Sequence, residues 1–173
     1  TTVLDAAEPG DVIEVHDGLY VGGWWNLTRS GTAEAPIVIR GDSADGTVLD
    51  GAGCALCSVL DIYGSFVHVE RMSLQNGRFA LRFTGEGSEG NVARGLRVGG
   101  VQYGIRSDSA QVDAYVCDNE LFGPITWPTV WSDNDGLFAN LDGISVDGEG
   151  HTVCHNHLVG WADAVSVEPG SRA

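Results

Sequence analysis

Val116-Cys-Asp-Asn119-Glu-Leu121-Phe-Gly123 and Val153-Cys-His-Asn156-His-Leu158-Val-Gly160 are two copies of one short pattern, matching at Val, Cys, Asn, Leu and Gly. The same frame of spaced apolar residues fits Val69, Met72 and Leu74, and again Ala93, Leu96 and Val98. A second frame follows each copy: Ala80-Leu81-Arg82-Phe83, Gly104-Ile105-Arg106-Ser107, Gly143-Ile144-Ser145-Val146 and Ala164-Val165-Ser166-Val167. From Leu74 to Val98 is 24 residues, from Val98 to Leu121 is 23, and from Ile144 to Val165 is 21. Self-similarity at a fixed period of this size marks a repeat architecture, in which each unit buries its apolar face only against its neighbours.

Leucine-rich repeats share such a period, but they carry their own leucine signature and a helical return, and neither is present. Each unit here consists of short alternating runs separated by Gly, Asn, Asp and Ser, which reads as strands and turns. Stacking the units sets each strand about 4.8 Å from its copy in the next coil. The inward residues then form ladders. Leu81, Ile105, Ile144 and Val165 make one aliphatic stack, and Asn119 over Asn156 makes a short Asn ladder bonded through the side-chain amides. The expected architecture is an all-β, single-stranded, right-handed parallel β-helix occupying residues 1–173 as one domain. A long loop insertion at 123–142 accounts for the wider spacing of 37 residues from Leu121 to Leu158.

The amino-terminal stretch Pro9-Gly-Asp-Val-Ile-Glu-Val-His-Asp-Gly-Leu-Tyr20 leads through Gly31-Thr-Ala-Glu-Ala-Pro-Ile-Val-Ile-Arg40 to Val48-Leu-Asp-Gly51. This resembles the opening of secreted β-helix proteins of the pectate-lyase-like superfamily, including alginate and chondroitin lyases. The resemblance implies a short amino-terminal cap ending near Ala7 and a secreted or cell-surface location. It also implies an acidic polysaccharide as substrate or ligand. No comparable amphipathic cap follows Glu168. The expectation is that the carboxy-terminal coil is open, that the chain is a piece of a longer protein, and that end-to-end contact is available there.

Composition excludes several classes of partner. The 173 residues carry 24 acidic and 9 basic side chains, all of the latter Arg, for a net charge of −15. Such a balance argues against nucleic-acid binding, which needs a positive footprint. No apolar run is long enough to span a membrane. The four cysteines do not form a zinc ribbon, because Cys54-x-x-Cys57 lacks a second such pair. Cys117 over Cys154 suits a disulfide or two packed thiols, and the strained geometry of in-register neighbours favours the thiols.

If the aliphatic residue of the second frame points inward, its neighbours point outward. One outward column is then Arg82, Arg106, Ser145 and Ser166, and the next is Thr84, Asp108, Asp147 and Glu168. Two Arg on adjacent coils repel, and a uronate carboxylate suits their planar forks. Lyases of the resembled superfamily use a Lys or Arg as base or charge partner. With no Lys in the chain, the resemblance implies Arg106 as base and Arg82 as carboxylate clamp. Pairing of both Arg with Asp or Glu on neighbouring coils is the competing reading. Asp108, Asp147 and Glu168 are candidate oxygen ligands for Ca²⁺, or solvated turn carboxylates. Tyr103, Ser145 and Ser166 are candidate sugar contacts, and Trp127 and Trp131 of the insertion suit either stacking on pyranose rings or covering the base of their own loop. Asp133-Asn-Asp135-Gly136 matches half of a calcium loop without its downstream Glu.

Two further groups carry weaker readings. Asp142 and Asp163 begin adjacent strands, where paired carboxylates suit glycoside hydrolysis as well as turn capping. His155 over Asp118 and His157 over Glu120, with His151 nearby, suit either cross-coil pairs or a transition metal. The functional expectation is therefore a carbohydrate-active protein that binds or β-eliminates a uronate glycan. The alternative is an extracellular scaffold or adhesion module without chemistry.

Overall fold

The computed structural model of the chain places residues 3–108, 110–126 and 141–168, and these are the residues described. A single 3₁₀ turn, Leu4–Ala6, precedes the strands and sets Ala7 into the core. The first coil contains β1 (Val12–Val15), β2 (Gly18–Val21) and β3 (Trp25–Leu27), and the second β4 (Ile37–Gly41) and β5 (Thr47–Ile62). The third contains β6 (Val67–Glu70) and β7 (Ser73–Phe83). The fourth has β8 (Val92–Arg94), β9 (Arg97–Gly99), β10 (Tyr103–Ser107) and β11 (Gln111–Val112). The fifth has β12 (Tyr115–Cys117), β13 (Glu120–Phe122), β14 (Asp142–Val146) and β15 (Gly148–Glu149). The last has β16 (Thr152–Cys154), β17 (His157–Val159) and β18 (Asp163–Val167).

Every strand pair recorded among these elements is parallel, and the pairing is between coils. One sheet runs β1-β4-β6-β8-β12-β16, and a second joins β9, β13 and β17 with β10, β14 and β18 through the long strands β5 and β7. The chain is a parallel β-helix, and strand-to-strand crossovers of this kind take the right-handed sense that twisted strands impose.

Three inward ladders fill the interior. Ile13, Ile39, Val69, Ala93, Val116 and Val153 stack in register in the first sheet. Leu49, Leu74, Val98, Leu121 and Leu158 form the second ladder. Trp25, Leu60, Leu81, Ile105, Ile144 and Val165 form the third, which contains the stack expected from the repeat. The middle members are almost wholly buried, and at roughly 25 cal/mol per Å² their burial is the main stabilising contribution.

The corner between the first and second ladders is turned by one residue in the left-handed region: Arg71, Gly95, Asp118 and His155, with φ of 55°, 63°, 60° and 50°. Asn and Asp tolerate that conformation and Gly adopts it freely, which is why polar and small residues punctuate the repeat. Asn119 follows such a corner. Its amide donates to Asn156 Oδ1 at 2.9 Å and to the Ala93 carbonyl at 3.1 Å, and its Oδ1 accepts from the Leu96 N–H at 2.9 Å. The Asn ladder therefore satisfies main-chain groups that the bend leaves without strand partners.

The cysteine expectation is corrected. Cys117 and Cys154 are in-register neighbours on β12 and β16 and form a disulfide, with Cα atoms 4.7 Å apart. That separation lies within the range a disulfide spans, because the twist between adjacent strands relieves direct opposition. Cys54 and Cys57 are also joined, across a bulge where β5 loses register with β7 between Asp50 and Ser58. No helix among the described residues is long and apolar enough to cross a membrane.

Candidate functional site

The third ladder has an outward face, built by β3, the end of β5, the end of β7, β10, β14 and β18. In register along it stand Asn26, Asp61, Arg82, Arg106, Ser145 and Ser166. The expected side-by-side placement of Arg82 and Arg106 is present. The member preceding them, Asp61, was not foreseen, although Val59-Leu60-Asp61-Ile62 fits the second repeat frame and carries it one coil further.

Asp61 settles how the Arg pair is held. Its carboxylate is completely buried and accepts from Arg82 Nε at 2.9 Å and from a second guanidinium nitrogen at 3.0 Å. The third acceptor contact is the Trp24 indole N–H at 3.1 Å. Arg106 donates to Asp108 and lies 3.7 Å from Glu168 Oε1, while Asp108 is also 4.0 Å from Arg82. The competing reading of the sequence, pairing with a neighbouring coil, describes Arg82, whereas Arg106 pairs first with Asp108 of its own coil. The outer face of the first sheet repeats the device, with Glu70 held between Arg40 at 3.0 Å and Arg94 at 3.2 Å.

The guanidiniums also sit on aromatic rings. Phe79 and Tyr103 occupy equivalent positions on β7 and β10 and stack with centroids 4.6 Å apart. Arg82 lies 5.1 Å from the Phe79 centroid and Arg106 5.4 Å from that of Tyr103, within cation–π range. Tyr103 is thus a seat for Arg106, with little of its own ring exposed.

Arg106, the expected base, has surroundings that favour its charged form. Burial works to lower its pKa, but the hydrogen bond and charge of Asp108, followed by Glu168 and Tyr103, outweigh it and the net direction is up. For Arg82 the hydrogen bond from Asp61 leads, burial opposes, and the direction is again up. A base needs the opposite displacement.

Of the expected calcium ligands, two carboxylates are engaged by protein groups. Asp108 is turned to Arg106, Glu168 accepts from Ser145 Oγ at 3.0 Å, and Asp147 is tied through its main chain to Ser107. Among the described residues no three His, Cys, Asp or Glu side chains are grouped to hold a metal ion. Asp108 and Glu168 each have a nearby donor in Arg106 and Ser145. His155 stands 3.7 Å from Asp118 as a cross-coil pair, and His157 lies beside Glu120 in register with its ring edge-on to Phe122. His151 accepts from the Ala114 N–H.

Ser145 is also corrected as a sugar contact, since it is buried and its hydroxyl is committed to Glu168. Ser166 is half-buried beside it on β18. Trp127, Trp131 and the Asp133–Gly136 segment lie outside the described residues.

Asp142 and Asp163 are brought together in register on β14 and β18, next to Tyr103 on β10. Burial raises the Asp142 pKa first, Asp163 and Glu168 raise it further, and Arg106 opposes them. These surroundings favour its neutral form.

No protein-family model matches the sequence, and no curated protein matches it. Solved structures do. An alginate lyase from Paenibacillus sp. str. FPU-7 superposes with a TM-score of 0.81 at 17% identity, covering 97% of this chain and 58% of that one. A pectin methylesterase from Yersinia enterocolitica superposes with a TM-score of 0.59 at 16% identity, covering 96% of this chain and 65% of that one. The shared fold is the parallel β-helix. The chain spans about three-fifths of the length of the lyase it resembles, and identities this low carry the architecture alone.

Proposed function

We propose that this chain is a carbohydrate-active module that holds an acidic glycan along the Arg82–Arg106 face. The observation that supports it best is the pair of in-register guanidiniums seated on the stacked Phe79 and Tyr103 rings. The rings seat both forks and a buried carboxylate fixes that of Arg82 before a ligand arrives, while Arg106 has only partly exposed, exchangeable partners in Asp108 and Glu168. A uronate carboxylate takes the place of one of them. Elsewhere the net charge of −15 repels a polyanion, so binding is confined to this face. Two disulfides favour an oxidising compartment, in keeping with a secreted or surface location.

A catalytic version is favoured by one observation, the juxtaposition of Asp142 and Asp163 beside Arg106. Asp142 would then serve as the proton donor to the glycosidic oxygen, replacing Arg106 as the group that handles protons.

The test is retardation in gels containing alginate, pectate, chondroitin or a neutral glucan. Absorbance near 235 nm and reducing-end release are followed on the same mixtures. Retardation by a uronate polymer, weakened by salt and by Arg106→Ala, is expected. Equal retardation by the neutral glucan, or none by any polymer, overturns the proposal. A rise at 235 nm reports elimination, and reducing ends without that rise report hydrolysis.

A further inference from the structure

Trp24 is an exposed aromatic side chain on a strongly anchored backbone. It is 58% exposed, yet it is tied down at three points. Its N–H donates to the Ser58 carbonyl at 2.9 Å, and its carbonyl accepts from Asn26 Nδ2 at 3.1 Å. Its indole N–H donates to Asp61 Oδ2 at 3.1 Å. Its φ is 62°, a conformation that bulky residues seldom adopt and that clusters at binding sites. Tyr63, 41% exposed, follows Asp61 at the end of β5 and acts electrostatically on Arg82. Two exposed aromatics thus flank the Asp61–Arg82 pair at the amino-terminal end of the face.

A hydrogen-bonded edge with a free ring face is what stacking on a ligand requires. The edge is oriented by a carboxylate that cannot move, because that carboxylate is wholly buried and bidentate to Arg82. Little ordering cost then remains to be met when the ring is covered.

Resting on the glycan reading above, we propose that Trp24 is the platform for the apolar face of one pyranose ring of a bound uronate oligosaccharide, forming a subsite at the opposite end of the face from Asp142. Along the column Asn26, Asp61, Arg82, Arg106 and Ser145 the distance is four strand spacings, roughly 19 Å. The platform therefore meets only ligands long enough to run from Arg106 across Arg82 to Asp61. It acts on affinity for long chains and leaves short ones unaffected.

The experiment is calorimetric titration of the parent, Trp24→Ala, Trp24→Phe and Arg106→Ala with a uronate disaccharide and hexasaccharide, each variant checked for its melting temperature. Trp24→Ala is expected to lose about fivefold or more in affinity for the hexasaccharide and none for the disaccharide. Trp24→Phe, which keeps a ring face and loses the N–H, is expected to retain most of the affinity while the ligand-induced change in tryptophan emission shrinks. Arg106→Ala should weaken both ligands. Hexasaccharide affinity unchanged in Trp24→Ala, with Arg106→Ala impaired, overturns the platform and leaves the glycan reading standing. Trp24→Phe falling as far as Trp24→Ala, or keeping the full emission change, also overturns it. If the parent binds neither ligand, both readings fall together.

Discussion

Asp61 and Arg82 stand side by side on β5 and β7, and the buried carboxylate of the first takes both ends of the second's guanidinium fork, at 2.9 and 3.0 Å. Removing Asp61 leaves a cation three-quarters buried without its acceptor. Asp61→Ala is therefore expected to cost about 3 kcal/mol, the low end for a broken buried pair because Arg82 keeps some water. Urea unfolding measures it. A loss below about 1 kcal/mol would mean that Asp108 takes over as the partner.

Arg106 has no such buried counterion, and its role is assigned to the ligand. Arg106→Ala should lower uronate affinity by roughly ten- to a hundredfold, the worth of a charge-assisted hydrogen bond, with little change in melting temperature. Arg106→Lys, which loses the fork but keeps the charge, should recover only part of the binding. Full recovery would show that charge alone is read.

The pH dependence follows from Asp142. Its pKa is raised above the usual carboxylate range by burial, then by Asp163 and Glu168, against Arg106. The folded chain thus holds this proton more tightly than the unfolded chain does. Stability is fully present below the usual carboxylate range and is lost as pH rises through the raised value. Asp142→Asn should abolish that loss, visible as a flatter plot of melting temperature against pH. Uronate binding should also weaken over the same rise in pH, since ionising Asp142 adds a negative charge near Arg106. An unchanged slope in the variant would remove Asp142 as the source.

The two disulfides differ in the loops they close. Cys117 and Cys154 are separated by 37 residues, Cys54 and Cys57 by 3. Chain-entropy arguments give about 4 kcal/mol for the first and about 2 kcal/mol for the second. Paired Ala substitutions, compared by urea unfolding, should rank in that order.

Asn119 serves the corner. Asn119→Ala deprives the buried Leu96 N–H and the Ala93 carbonyl of partners and should cost roughly 2–3 kcal/mol. Amide exchange at Leu96 should accelerate; protection equal to that of the parent would contradict the ladder.

Much of this was legible in the sequence because a solenoid turns sequence period into spatial adjacency. Leu81, Ile105, Ile144 and Val165, the Asn119–Asn156 pair and the neighbouring Arg82 and Arg106 all follow from spacing alone. Asp61 and Trp24 were missed because the first coils break the spacing: β5 carries the Cys54–Cys57 bulge, which shifts register against β7. The partners of Arg106 and of the acidic column were illegible for a different reason. A column assigns each side chain to a strand face but says nothing of which neighbour it turns towards.

By itself the sequence determined the parallel β-helix, its inward ladders, its Asn corner and the face on which the two Arg stand, since these depend only on alternation and period. Tertiary structure alone decided the partners: Asp61 for Arg82, Asp108 and Glu168 for Arg106, and Asp61 for the Trp24 indole. Those choices rest on rotamers, strand twist and competition among nearby donors and acceptors, and a repeat pattern carries no information about any of the three.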